Sequence, residues 1–234
     1  MTSEIHTEGP LVSIRRAGFR SLSAWLVMAC LMLSFGLAPV AFAADDPAIT
    51  AAPRQLIQET ADRIVAALAN RDRPADVRIS EIEAIAYEVF DFTTMSKLVL
   101  ARNWKKMSKE KRGEFVREFK RHLSRTYGTR LDRYSQEEVD VYGAQVEVRN
   151  DVTIKTRIVG GQFDDAEVSY RLRDRQDRWR IIDVVIEGVS LVSNYRSQFA
   201  EVLNGGTIED LLTKLRDKNF VVDDGIEDEK TKGS

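Results

Sequence analysis

Near Tyr134 the hydrophobic pattern of this chain changes period, and that change limits the possible folds more than any other feature. Before it, apolar residues recur every three or four positions. Phe115, Phe119, Leu123, Tyr127 and Leu131 follow at intervals of four and predict one aromatic and aliphatic stripe along a long helix. After it, apolar and polar residues alternate. Val139 and Val141 form one set and Val146 and Val148 a second, separated by a bend or bulge at Tyr142-Gly143-Ala144. Val152, Ile154, Thr156 and Ile158 alternate in the same way, and so do Ala166, Val168, Tyr170 and Leu172. Gly160-Gly161 and Asp174-Arg175-Gln176-Asp177 turn the chain between these runs. The last run, Trp179 to Ile186, is partly apolar on both faces. Short turns between strands predict an antiparallel meander with one face covered.

Helical signals flank the strands. Pro53 suits the first turn of a helix over residues 54–70 that carries Leu56, Ile57, Ile64, Val65 and Leu68. Ser80 with Glu83 reads as a capping box for a second helix, and Asp91 as the cap of a third that ends near Trp104. Ser108 caps the longest helix. After the strands come helices over residues 189–203 and 207–218. Helices, then strands, then helices define an α+β fold. The expected architecture is a four-stranded twisted antiparallel sheet covered by N-terminal and C-terminal helices.

Residues 1–43 read as an export signal that is removed. Arg15, Arg16 and Arg20 precede an uncharged apolar run, and Ala41-Phe42-Ala43 fits the small-x-small cleavage rule. An uncleaved anchor is the alternative, which Pro39 and the small residues before Ala44 oppose. The only cysteine, Cys30, lies inside this segment in a poor context for lipidation. The remaining chain holds 32 basic residues (35 less 3) and 35 acidic (37 less 2), net −3, which argues against a nucleic-acid binder. It divides into one domain over residues 44–220 and an acidic, disordered tail over 221–234.

Candidates for chemistry are few. His122 is the one histidine outside the leader and sits in Lys120-Arg121-His122, which predicts a surface or boundary position. One histidine and no cysteine leave no credible zinc site. Asp183 and Glu187 are the best candidate buried acids for an isomerase or hydrolase. The competing reading gives them hydrogen bonds or ion pairs with Arg171, Arg173 or Arg180. Ser190 lacks a nucleophile elbow and reads as a helix cap. No catalytic residue is assigned. The apolar stripes are core by default, and periodicity does not separate a filled core from a hollow one.

Several segments, in order and spacing, resemble the MlaC (toluene-tolerance) family of periplasmic phospholipid-binding proteins. They are Asp91-Phe92; Val99-Leu100-(x)-Arg102-(x)-Trp104; Phe115-(x)₃-Phe119-(x)₃-Leu123-(x)₃-Tyr127-Gly128; and Trp179-(x)₃-Asp183-(x)₃-Glu187-Gly188-Val189-Ser190-Leu191. Ala101 departs from the pattern, which has glycine there. The resemblance covers about residues 54–218. It implies a nuclear-transport-factor (NTF2-like) cone with added helices and acyl chains held between sheet and helices. It also implies a periplasmic shuttle between an outer-membrane lipoprotein complex and an inner-membrane ABC transporter complex with a lipid-binding ring, which maintains outer-membrane lipid asymmetry. Phospholipid is then the cargo and no cofactor is needed. A hopanoid is the alternative cargo, and a cone-fold isomerase or hydrolase the alternative activity.

On this reading the expected lipid contacts are Phe92, Met95, Val99, Leu123, Tyr127, Tyr170, Val185, Val189, Leu191, Val192, Tyr195 and Phe199. Ser190, Asn194 and Arg196, near a helix N-terminus, are the expected head-group rim.

Overall fold

Asp46 opens the first helix, α1 (Pro47–Ala69), its carboxylate accepting the Ala48 N–H at 3.0 Å. The computed structural model describes residues 46–131, 137–176, 178–217 and 220. The expected leader over residues 1–43, Cys30, Tyr134 and the acidic segment 221–234 lie outside these, as does the side chain of Leu131. α1 starts earlier than the expected Arg54, because Asp46-Pro47 supplies both a cap and a proline at the first position. Pro53 is buried inside the helix instead.

The second helix, α2 (Ala75–Val89), also starts early. The Pro74 carbonyl accepts the N–H groups of Val77 and Arg78, so Ser80 and Glu83 lie inside the helix rather than at its cap. Asp91 does cap α3 (Phe92–Leu100), accepting the Thr94 N–H at 2.8 Å and its hydroxyl at 2.5 Å. α3 stops at Ala101, whose φ of 47° and ψ of −122° belong to a region open mainly to glycine. The departure at this position therefore falls where a side chain is strained. A single-turn helix, α4 (Asn103–Lys106), leads to α5 (Lys109–Leu131), whose Lys111 N–H is bonded to Ser108 Oγ at 3.2 Å.

The strands are β1 (Glu138–Val146), β2 (Val152–Val159), β3 (Glu167–Asp174), β4 (Trp179–Ile186) and β5 (Val189–Ser190). They pair antiparallel in sequence order, so the sheet has five strands rather than four. The extra strand is made by Val189 and Ser190, expected as a helix start but paired with Ile186 and Val185. Glu187 and Gly188 link β4 to β5 with φ of 47° and 79°, the positive values that a two-residue hairpin turn demands. The Tyr142 region is a bulge within one continuous strand, where the register shifts between Val141 and Gly143. Val148 is not a strand residue; it is 83% exposed in a short 3₁₀ turn. The chain ends in α6 (Leu191–Gly205) and α7 (Ile208–Arg216), the latter held by a Thr207–Asp210 capping box.

Among the described residues two large apolar clusters form, beside a small one of Ala67, Leu68 and Ile82. One lies among α3, α5, α6 and α7, where Phe115, Phe119, Tyr195 and Phe199 pack ring against ring at 5.4–5.7 Å. His122 is buried in this cluster, not on the surface, and shares a hydrogen bond of 3.0 Å with the Tyr195 hydroxyl. It stands three residues after Phe119, hence on the same helix face. The second cluster covers one face of the sheet and includes Ile57, Val152, Ile154, Leu172, Ile181 and Leu191. Phe90 and Tyr127 border both.

Candidate functional site

The stripes of α1 and α2 meet the sheet without filling the space beneath them. α1 brings Ile57, Thr60, Ala61, Ile64, Val65 and Leu68, and α2 brings Ile82, Glu83 and Ala86. These face Val139 of β1, Ile158 of β2, Val168 and Tyr170 of β3, and Ile181, Val184 and Ile186 of β4. Phe90, Phe92 and Met95 close one side, and Leu123, Ser124, Tyr127, Gly128 and Arg130 of α5 another. The cavity volume is about 270 Å³, and it is partly open to solvent.

Local sequence explains the void. Ala61, Ala86 and Gly128 present almost no bulk at the points where three helices converge. Gly128 also lets α5 approach α2: a Cβ there would lie 3.1 Å from Ile79 Cγ2. Further along the same two helices the Tyr87 and Ser124 hydroxyls share a hydrogen bond of 2.9 Å, and Lys120 Nζ lies 3.2 Å from the Tyr87 ring centroid. α1 is tied to the sheet by Arg54, whose Nη1 donates to the Val141 carbonyl at 3.0 Å.

Two polar members of the lining, Thr60 and Glu137, have structural duties. The Thr60 hydroxyl donates to the Leu56 carbonyl at 2.6 Å. Glu137, buried at the start of β1, accepts the Gln162 N–H at 3.3 Å and holds the loop after Gly160-Gly161 against the sheet. Glu83 and Arg130 are the remaining charged members. Among the described lining residues there is no histidine or cysteine, and no group of metal-ligating side chains occurs among the described residues. The arrangement suits the desolvation of an apolar ligand.

The expected contact residues divide. Phe92, Met95, Leu123, Tyr127, Tyr170 and Leu191 line the cavity. Val99, Val192, Tyr195 and Phe199 do not; they are buried in the filled helical cluster, because the inner face of α6 packs on α3 and α5. Val185 and Val189 are half-buried in the β4–β5 hairpin, away from the lining. None of the expected rim lies at the cavity. Ser190 caps α6, accepting the Ser193 N–H at 3.0 Å. Asn194 Oδ1 accepts from Gln198 at 2.8 Å. Arg196 Nε donates to the Leu98 carbonyl at 2.8 Å and clips α6 to the end of α3. The α1 and α2 contributions were missed by sequence reasoning, although the stripe on α1 and the alanines beside it were visible.

The two candidate acids are tied up. Asp183 is buried and accepts from the Ser190 hydroxyl at 2.7 Å and the Val192 N–H at 3.1 Å, with Arg171 Nη2 at 3.5 Å. It is the joint between β4 and α6. Glu187 is exposed on the hairpin turn and accepts the Glu167 N–H at 2.5 Å.

Comparison with known proteins adds three findings. The model of the family described as "MlaC protein" matches residues 56–217. The chain is 23% identical over 164 residues to the toluene tolerance protein Ttg2D of Pseudomonas putida, covering 67% of this chain and 76% of that one. It shares its fold with a phospholipid-binding protein of Ralstonia solanacearum solved in complex with a phospholipid. That likeness has a TM-score of 0.64 at 19% identity and covers 71% of this chain and 96% of the other.

Proposed function

This chain belongs to the MlaC protein family, and on that premise we propose that it carries phospholipid, with the acyl chains in the cavity beneath α1, α2 and α5. The observation that carries the reading is the cavity itself, about 270 Å³ and walled largely by aliphatic and aromatic side chains. The bound lipid of the Ralstonia relative supports it. The sheet and its helices act in this reading as a cone (NTF2-like) closed around the cargo.

Physical chemistry supplies the reason for such a protein. Two ordinary acyl chains hold roughly 30 methylenes, and exposing them to water at ~0.8 kcal/mol each costs on the order of 24 kcal/mol. Spontaneous transfer through water is then very slow, and an enclosed apolar site removes most of that barrier. The affinity must lie between those of donor and acceptor, so direction comes from partners.

We place the protein in the periplasm, exported behind the segment 1–43, with residues 44–220 as one lipid-binding domain. It exchanges lipid with an inner-membrane ABC transporter complex and an outer-membrane lipoprotein complex. It requires no cofactor and is not an enzyme: Asp183 and Glu187 hold the fold together, and the cargo is the only ligand. The test is to recover the protein from the periplasm of cells expressing the full chain, extract it with organic solvent and analyse the extract by mass spectrometry. Phospholipid with varied head groups is expected, and a bound hopanoid would change the cargo class. A lipid-free protein that binds no apolar ligand would overturn the proposal.

A further inference from the structure

Residues 97–112, from the end of α3 to the first turn of α5, hold seven basic residues and one acidic. The rest of the chain holds 28 basic (35 less 7) and 36 acidic (37 less 1). Positive charge is thus concentrated in one short stretch of an otherwise acidic protein. Arg102, Lys105, Lys106 and Lys109 are all exposed, and none has an ion pair among the described residues. The other basic residues of the stretch serve as its frame. Arg112 donates to the carbonyls of Trp104 and Lys105 at 2.9 and 3.3 Å and lies 5.4 Å from the Trp104 ring. Lys97 lies 5.9 Å from the same ring, and Lys111 is held by Glu209 at 2.6 Å and Glu114 at 3.0 Å. Met107 is buried beneath. Arg196, clipped to Leu98, adds an exposed cation beside the stretch.

We propose that this cationic platform docks the protein on the anionic phospholipid head groups of a bilayer surface. Three features favour a lipid surface over an acidic protein. Three of the four unpaired cations are lysines, compact hydrated point charges that suit a mobile array of anions, whereas paired recognition of fixed carboxylates favours arginine. Lysine is depleted from protein–protein interfaces. No large apolar side chain is exposed in the stretch, and its tryptophan is only partly exposed and is engaged by Lys97 and Arg112, so no hot-spot anchor is offered. A purely electrostatic contact of this size is short-lived and salt-sensitive, which suits a protein that must leave again. Along α5 the platform is about 20 Å from Leu123, the first cavity residue of that helix, so docking and cavity binding are separable.

The experiment is co-sedimentation of the protein recovered from cells expressing the full chain. Vesicles of phosphatidylcholine mixed with phosphatidylglycerol are compared with phosphatidylcholine alone. Binding should need the anionic lipid and vanish at high salt. The double variant Lys105→Gln/Lys106→Gln should lower partitioning roughly thirty-fold, since each cation near such a surface is worth about fivefold. Lipid recovered from the cavity of the same variant should be unchanged, which separates this surface from the carrier reading. Equal binding to both vesicle types, binding indifferent to the substitutions, or no binding to either vesicle would each overturn the proposal.

Discussion

The helical cluster and the space under α1 and α2 are written in the same kind of sequence and end in opposite states. Both are lined by amphipathic helices with apolar residues at three- and four-residue spacing. In the first, Phe115, Phe119 and Phe199 are essentially fully buried and interlock edge to face. In the second, α1 and α2 bring mostly aliphatic or small residues, and Ala61, Ile64, Val65 and Ala86 remain half-buried against an open volume. What opposes a stripe, rather than the stripe itself, decides whether the region becomes framework or receptacle.

The most severe way to break the contrast is truncation. Phe119→Ala in the filled cluster should lower unfolding free energy by about 3–5 kcal/mol. Ile64→Ala under α1 should cost about 1 kcal/mol or less, because its side chain is only half-removed from water. Urea titrations of both variants measure the difference, and equal losses would mean that the two regions are packed alike.

Added bulk tests the same contrast from the other side. Val192→Trp should destabilise by about 1–3 kcal/mol through overpacking. Ala61→Trp should leave the unfolding midpoint nearly unmoved while reducing the lipid recovered by extraction. A large drop in stability for Ala61→Trp would show that the cavity collapses around its walls.

Much of this organisation was legible in the sequence. Local chemistry was read correctly at Asp91 and Ser108, which cap their helices, and in the alternating runs that pair as a meander; it failed at Ser80 with Glu83 and at Pro53, which lie inside helices that begin earlier at stronger start signals. Of the three arginines offered as partners for Asp183, namely Arg171, Arg173 and Arg180, Arg171 is the one beside it, and hydrogen bonds from Ser190 and Val192 complete that structural role. The other errors arose where tertiary partners decide. Val189 became a strand residue because β4 offers a free edge, and Ser190 pairs there as well while capping α6 as read. His122 reads as a surface or boundary residue between basic neighbours, yet the helix face it shares with Phe119 turns it into the aromatic cluster. The expected lipid contacts on α6 followed a true stripe into the filled region, and the equally true stripe on α1 was passed over.

Two smaller effects sharpen the picture of the filled half. Ala101 sits at the end of α3 in a backbone region that suits glycine, so Ala101→Gly should raise stability by about 1 kcal/mol in thermal or chemical unfolding. At the other end of the cluster, hydrogen bonds from the Thr207 backbone and then its hydroxyl hold the Asp210 carboxyl below the usual aspartate range. Its contribution is therefore present above the unfolded aspartate pKa, near 4, and is lost as pH falls through the lower folded value. Asp210→Asn should flatten that part of the acid profile followed by circular dichroism.

The void beneath α1 and α2 also makes occupancy a property of the whole chain. An apolar hole of about 270 Å³ corresponds to at most roughly 6.5 kcal/mol of forgone packing, at about 24 cal/mol per Å³. A ligand that fills it binds the native chain alone and shifts the unfolding equilibrium by mass action. The empty molecule then opens more often than the laden one. Proteolytic lifetime becomes a readout of cargo, with unladen copies the first to be cleared.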